Sequence, residues 1–553
     1  MLRRLLAVVC LLPAIAVASI SDYIAQNLND ELPAETLQLP RFSEHYSHLV
    51  SFYEFRDYQP IWYIDGQPTE QAKALFEVLK QAHYNGLRPA DYFVDTIDMI
   101  ASEHTFGELS KSRAELLLSL GFLQYAADVK VGRTSPTAHH QGFPEVVEAD
   151  DPGHLLQRIS DGADPVAILA EAEPPSLLYQ RLKQAMIHIV DKRLAGEPWQ
   201  TIAEGKTLHP GDAIAESLYQ AIADRVVELV PAAEPMNYAG SYDPALVANI
   251  KRFQFLNGLG QDGIIGKRTY QALNKDWSMR EQQMIATMER LRWLPRKIVD
   301  TRYILVNVPS FTMYGIEADS QGQQHMTFSS DVIVGKSYRR YRTPLFVADM
   351  TYMVFNPYWN VPNSILRREY IPHVDEPGFF EQHNFQLVKH FSKTAEVFPP
   401  TPENIAALKR GEFLLRQSNG PHNALGEAKF IFPNANNVYL HGTPAKSLFA
   451  KERRDFSHGC IRVGDVPGLA NWVLNPEGWD EQAINQEFDE DAAKVVPLKT
   501  AITVGIIYLT AVVDDDDHLI VHDDIYGHDA RLLKELGMTA EQIMQPAVER
   551  ALY

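Results

Sequence analysis

The run Ser457-His458-Gly459-Cys460-Ile461-Arg462 sets a thiol beside a glycine and surrounds it with an imidazole, a hydroxyl and a guanidinium. Upstream, Val438-Tyr439-Leu440-His441-Gly442-Thr443 brings a second imidazole to the end of a predicted strand. A free thiol titrates near ~8.5, so a nucleophilic cysteine needs a neighbouring base or positive potential. The carbonyl it attacks needs main-chain N–H donors aimed at the developing oxyanion, and a glycine beside the nucleophile lets the backbone approach that closely. Cys460 is thus a candidate nucleophile and His441 a candidate general base, with Gly459 placed for the backbone donors. His458 is the weaker base candidate. A residue two positions away on an extended chain points to the same side, but a glycine turn intervenes, so its ring is expected to brace the loop. The alternative for Cys460 is a small buried hydrophobe, as free cysteines often are.

Cysteine usage sharpens this. The 553 residues hold two cysteines, Cys10 and Cys460, which excludes a disulfide framework and a thiolate-rich metal site. Arg3 and Arg4, an apolar run from Leu5 to Val17 and the Ala16-Val17-Ala18 pattern follow the order of a secretory signal peptide. Cys10 is expected to leave with it; the alternative is a retained membrane anchor, against which Pro13 and the short apolar run count. Exported proteins pair or eliminate cysteines, so a lone survivor points to retained chemistry. With 51 basic and 71 acidic residues the formal charge is −20, which argues against a nucleic-acid binder.

The elements that must position these groups fall into three zones. Residues 19–230 read as a helical scaffold, with helical spacing in Glu70–Ala82 and Arg113–Val129. Val230–Gly240 reads as a Pro/Ala linker. After it, Asp243 is a candidate N-cap ahead of Pro244, Leu246, Ile250 and Phe253 share a helical face, and Gly258 stops the helix. A second helix runs through Thr269, Tyr270 and Leu273. From about residue 302 the period changes to two, and Arg302–Val308, Asp331–Val334, Thr351–Phe355, Val438–His441 and Ala501–Val513 read as strands. Residues 356–430 interrupt this β-rich region with poor periodicity and scattered prolines, as a functional lid would.

Lys251–Asn274 resembles the small three-helix peptidoglycan-binding domain of cell-wall enzymes. His441-Gly442-Thr443 followed by Ser457–Arg462 resembles the signature of the L,D-transpeptidase (YkuD) catalytic domain. Met288–Pro295, Arg342-Thr343-Pro344, Asn356–Pro362, Gly420–Pro433 and Asp523–Gly527 extend the likeness to the large YcbB-type members. One departure is Gly442, where those members are expected to carry Asp. The resemblance implies a multidomain α+β chain: signal peptide 1–18, scaffold 19–230, peptidoglycan-binding module 237–275, linker helix 276–300, and β-rich catalytic domain 301–553 with a capping insertion at 356–430.

It also implies roles. Cys460 would be the nucleophile, His441 the general base and later acid, and Gly459 the site of the oxyanion hole. Ser457, His458 and Arg462 would be supporting positions and Tyr439 an extra donor. Tyr358, Trp359 and Asn360 in the insertion would close over the acyl-enzyme, although Trp359 reads equally as a core aromatic. Arg462 could bind a substrate carboxylate or sit in a buried salt bridge. The implied reaction is third-to-third cross-linking of peptidoglycan stem peptides through a cysteine thioester with release of D-Ala, without metal or other cofactor. L,D-carboxypeptidase or wall-hydrolase activity would use the same residues, and a non-catalytic peptidoglycan adaptor is the remaining alternative. Implied partners are stem peptides and glycan, with no nucleic acid, and with a membrane only through an uncleaved leader. The implied compartment is the Gram-negative periplasm, and carbapenems would acylate the thiol.

The remaining polar clusters read as surface features. His139 and His140 have no partner at metal-ligand spacing. Asp514–Asp517 with Asp523 and Asp524 lack the EF-hand spacing and central glycine, and read as a solvated hairpin turn. Arg339-Arg340 and Arg367-Arg368 read as surface charge.

Overall fold

The computed structural model describes residues 18–29, 42–102, 107–139, 143, 150–196, 198–296, 298 and 302–539. The expected leader with Cys10, and His140, lie outside the described residues. Among those described, no helix is long and apolar enough to cross a membrane. They divide into two compact units, one formed by 18–131 and 150–173, the other by 132–143 and 174–539.

The first unit is helical. Its axis is the Glu108–Val131 helix, buried on nearly every side, so its apolar residues run all round rather than in a stripe. Glu115 on this helix is fully buried and accepts from the main-chain N–H groups of Ile61, Trp62 and Tyr63 and from the Tyr53 hydroxyl (2.7 Å). That carboxylate closes the helix-to-strand turn from inside.

In the second unit, Ile202–Val230 and Tyr242–Leu273 share one core built on Tyr219, Ile222, Leu246, Ile250, Phe253 and Leu273. Three helices, Glu216–Leu229, Pro244–Leu256 and Lys267–Leu273, make this module. Asp243 caps the middle one, accepting from Ala245 and Leu246 N–H, with Pro244 at the first helical position. Gly258 ends it at φ +62°. The Trp277–Arg292 helix follows, capped by Asp276 and buried along almost its whole length.

The β-rich region is a nine-stranded sheet: β1 (Tyr303–Asn307), β2 (Thr312–Ala318), β3 (Gln324–Gly335), β4 (Phe346–Phe355), β5 (Ala428–Ile431), β6 (Leu440–His441), β7 (Asp455–Ser457), β8 (Ile461–Val463) and β9 (Lys494–Ile507). The order is β7-β3-β8-β6-β5-β4-β9-β1-β2. A further β2–β3 pairing closes eight of the strands into a ring, with β7 beside the end of β3.

One reading needs correction. Ala501–Val513 is not one strand: β9 ends at Ile507 and a separate hairpin strand starts at Ala511. Between them Asn307 takes over the ladder's bonds, accepting from Leu509 N–H (2.8 Å) and donating to its carbonyl (3.0 Å). The insertion expected between the strands is a subdomain, as the resemblance implies, and it ends before β5 begins at Ala428. Strands Trp359–Asn360, Leu414–Gln417 and Phe385–Val388 form a sheet, the Pro402–Arg410 helix flanks it, and Trp359, Phe379, Phe385, Leu387 and Leu415 form its core. Strands of two to four residues are too short to display a period. The Asp514–Asp517 turn joins the Ala511–Val513 and Leu519–Val521 strands, as read.

Candidate active site

Strands β6 and β8 run parallel with Leu440 opposite Ile461 and His441 opposite Arg462. Successive side chains alternate between faces, so Leu440 and Ile461 enter the core, both fully buried. His441 and Arg462 share the other face, with Tyr439 and Cys460 one pleat behind on it. All four line a cavity of about 490 Å³ beneath the capping subdomain, which contributes Trp359, Ile365, Arg368, Glu369 and Tyr370.

His441 is 5% exposed, and its Nδ1 lies 2.6 Å from the Gly442 carbonyl oxygen. A carbonyl only accepts, so Nδ1 carries the proton and Nε2 keeps its lone pair. Burial, reinforced by the Arg462 and Lys429 charges and opposed by that hydrogen bond, pushes the imidazole down to about 3. Burial pushes the Cys460 thiol up, while the Tyr439 main-chain N–H and the Arg462 guanidinium pull it back. The resting pair is neutral thiol and neutral imidazole. Arg462, not His458, supplies the positive potential beside the sulfur, and among the described residues it makes no ion pair.

The loop carrying Cys460 is held from within and behind. Ser457 Oγ donates to the Cys460 carbonyl (2.5 Å) and accepts from Gly459 N–H (3.1 Å). The Gly459 carbonyl accepts from Thr343 Oγ1 (2.9 Å), which itself accepts from Gly335 N–H (2.8 Å). Thr343 N–H donates to the Tyr526 hydroxyl (3.2 Å), which donates to the Gly335 carbonyl (2.6 Å). Gly459 stands at φ +122°, a conformation an L side chain rarely adopts. At Gly335 a Cβ would lie 1.9 Å from the Tyr341 carbonyl, so the strand end and the Tyr341–Thr343 segment touch only because no side chain intervenes.

Three segments of the chain match known families. Residues 301–502 match the "L,D-transpeptidase catalytic domain" (YkuD) family, 234–273 the "Putative peptidoglycan binding domain" family and 47–186 the "Scaffold domain" family. A "Putative L,D-transpeptidase" of Haemophilus influenzae is 27% identical over 294 residues, 52% of this chain. The matched stretch spans 57% of that relative's length. Residues 301–502 thus carry the match to the L,D-transpeptidase catalytic domain.

Within this L,D-transpeptidase domain the expected supporting residues separate. His458 turns from the sulfur: its Nε2 lies 2.7 Å from Glu369 Oε1, and its ring meets Tyr341 edge-on at 4.9 Å. Gly459 N–H is already engaged by Ser457, whereas the N–H of Cys460 itself makes no hydrogen bond among the described residues. Trp359 packs in the capping core against Tyr370 and Phe385 and also lines the cavity. Tyr358 and Asn360 do not line it. Tyr358 lies under the Arg416 guanidinium (4.3 Å), and exposed Asn360 pairs with Arg416 across the capping sheet, because alternation turns both away from Trp359's side.

Sequence reasoning gave no role to Thr343, Tyr526, Asn437 or Glu369. The first two fall in Arg342-Thr343-Pro344 and Asp523–Gly527, whose likeness to the family was the available signal. Asn437, whose carbonyl lies 3.8 Å from Cys460 Sγ, and Glu369 carried none.

Proposed function

We propose that this chain cross-links peptidoglycan stem peptides from third residue to third residue, through a thioester on Cys460. The reading is carried by one arrangement: Cys460, His441 and unpaired Arg462 on one strand face, roofed by the capping subdomain. As Cys460 Sγ attacks the carbonyl before the donor's terminal D-Ala, its proton passes to His441 Nε2. A preformed thiolate–imidazolium pair is disfavoured because both groups are desolvated, so proton transfer accompanies attack. The tetrahedral oxyanion is taken by main-chain N–H, with the Cys460 N–H the available donor. The C–N bond breaks, His441 returns the proton to the departing D-Ala amine, and the thioester remains.

The side-chain amine of a second stem's third residue then attacks the thioester carbonyl, losing its proton to His441. The sulfur leaves and is reprotonated. Arg462 suits a stem carboxylate, being charged, half-buried and without an acidic partner. The capping residues over the cavity favour the amine over water as acceptor. Catalysis is assigned to the compartment where stem peptides are exposed, outside the cytoplasm, with the module at 234–273 holding the wall.

The test is incubation with disaccharide-tetrapeptide and mass spectrometry of products. Cross-linked dimer with loss of D-Ala is expected. Tripeptide monomer alone would make the chain a carboxypeptidase, and turnover by Cys460→Ala would overturn the cysteine mechanism. A carbapenem adduct is expected on Cys460 and nowhere else.

A further inference from the structure

The Gly459 carbonyl and the Cys460 N–H belong to one trans peptide plane, in which the two groups point in opposite directions. Whatever holds that carbonyl therefore sets where the N–H points. The holder is Thr343 Oγ1, which donates to the Gly459 carbonyl at 2.9 Å from behind the loop. A carbonyl that accepts a hydrogen bond also polarises its own peptide, so the same contact strengthens the Cys460 N–H as a donor.

Thr343 is placed in turn by two tyrosine hydroxyls. The Tyr526 hydroxyl bridges two main chains, accepting from Thr343 N–H (3.2 Å) and donating to the Gly335 carbonyl (2.6 Å). Tyr526 N–H donates to the Tyr508 hydroxyl (2.8 Å), which donates to Asp524 Oδ1 (2.5 Å). The Asp524 carboxylate is fixed by the N–H groups of His528 and Asp529 (2.8 and 2.9 Å), which open the His528–Leu536 helix. Asp529 ends the line, accepting from Arg290 Nη1 (2.5 Å) and Thr510 Oγ1 (2.6 Å).

Thr343, Tyr508 and Tyr526 are 1%, 0% and 3% exposed. A phenylalanine would fill either tyrosine position without desolvating a hydroxyl, so each buried oxygen carries a cost that its two partners offset. The Tyr526 ring is held independently of that oxygen, stacked on Tyr508 at 5.8 Å with the Arg342 guanidinium over it at 5.3 Å. Hydroxyl and packing are therefore separable by substitution.

We propose that Tyr526 and Tyr508 are positioning residues for the oxyanion donor: acting through Thr343, their hydroxyls aim the Cys460 N–H at the carbonyl oxygen under attack. The proposal rests on the reading of Cys460 as the nucleophile.

Two reactions of the same thiol separate this role from general support of the loop. Carbapenem acylation passes through an oxyanion: sulfur bonds to the lactam carbonyl, the ring C–N bond breaks, and the thiol proton passes to the released nitrogen. Iodoacetamide alkylation displaces iodide and forms no oxyanion. In Tyr526→Phe the acylation rate constant should fall at least tenfold, while alkylation of Cys460 changes less than about twofold. Tyr508→Phe acts one link further back and should lower acylation about threefold. Thr343→Ser keeps the donating hydroxyl and should recover most of what Thr343→Val loses. In a Thr343→Val background the line is already cut, so Tyr526→Phe should cost less than about a further twofold. Mass spectrometry maps each adduct to Cys460, and an unfolded variant would show itself by faster alkylation. Equal falls in both reactions, unchanged acylation, or losses that simply add in the Thr343→Val background would overturn the proposal. Tyr526-dependent acylation in a chain that cross-links no tetrapeptide would leave it standing and overturn the transpeptidase reading instead.

Discussion

His458 Nε2 lies 2.7 Å from Glu369 Oε1, so the histidine two residues before the nucleophile is held by the capping subdomain and not by the catalytic sheet. Glu369 sits in the π-helical turn Leu366–Tyr370, a backbone form concentrated at functional sites. Its neighbour Arg368 reaches the Tyr341 hydroxyl (3.3 Å), and Tyr341 in turn meets the His458 ring edge-on. Burial pushes His458 down despite Glu369, so the contact is a neutral imidazole N–H donating to a carboxylate. The roof of the cavity is thereby pinned to the loop that carries Cys460.

Glu369→Ala is expected to lower kcat/KM about tenfold while changing global stability by less than about 1 kcal/mol, the range of partly exposed pairs. Glu369→Gln keeps an acceptor for His458 and should retain most activity. Steady-state kinetics on disaccharide-tetrapeptide check both. If Gln were as damaging as Ala, the negative charge and not the hydrogen bond would be the working feature.

Arg462 shares a strand face with both reacting groups, and its charge opposes the ionised form of one and favours that of the other. It disfavours imidazolium at His441 and favours thiolate at Cys460. In Arg462→Gln both groups should therefore titrate higher than in the parent chain. Iodoacetamide alkylation of Cys460 should shift its midpoint to higher pH, and the His441 ring resonances should titrate above the parent's value of about 3. In the parent, kcat/KM should show no titration of His441 near 6.5, because the imidazole is already neutral there.

The Ser457 hydroxyl closes the nucleophile loop on both sides, donating to the Cys460 carbonyl and accepting from Gly459 N–H. Ser457→Ala removes both bonds next to the sulfur and leaves the core untouched. Its expected signature is a fall of ten- to a hundredfold in kcat with KM nearly unchanged, since binding is made elsewhere in the cavity. Thr343→Val, which releases the Gly459 carbonyl from behind, should act in the same direction. A KM-dominated defect in either variant would show that the loop's geometry serves binding instead.

How much was legible in the sequence follows from where each contact comes from. Cys460, Gly459, His441 and Arg462 sit in two short runs that one pair of parallel strands brings together, so residue type and local spacing revealed them. Glu369 and Thr343 reach the same loop from 89 and 116 positions away, and Tyr526 braces Thr343 from 183 positions away, over distances where periodicity carries no information. The capping insertion was legible only through the family likeness, because its strands are too short to show alternation. The break at Tyr508–Thr510 was invisible because burial keeps those residues as apolar as the strand before them, while the change of hydrogen-bond partner is made by Asn307.

Gly258 and His522 offer a test of how the three-helix module meets the hairpin region. A Cβ at Gly258 would lie 2.6 Å from His522 Nδ1 and 3.1 Å from the Val521 carbonyl, and the backbone there stands at φ +62°. Gly258→Ala should cost about 2–3 kcal/mol, combining overpacking with left-handed strain. In a His522→Ala background the ring is gone, and the cost should fall by about 1 kcal/mol, leaving the strain and the tight Val521 carbonyl contact. His522 carries a pH signature as well. Burial, aided by the Lys275 charge and opposed by Asp523, pushes it down to about 4, against about 6.5 for an exposed imidazole. The unfolded chain therefore takes up a proton that the folded chain refuses. Stability should fall as pH drops from about 6.5 to about 4, by no more than about 3 kcal/mol from this group, and level off below. Urea midpoints across that range check both effects, with His522→Gln expected to flatten the slope.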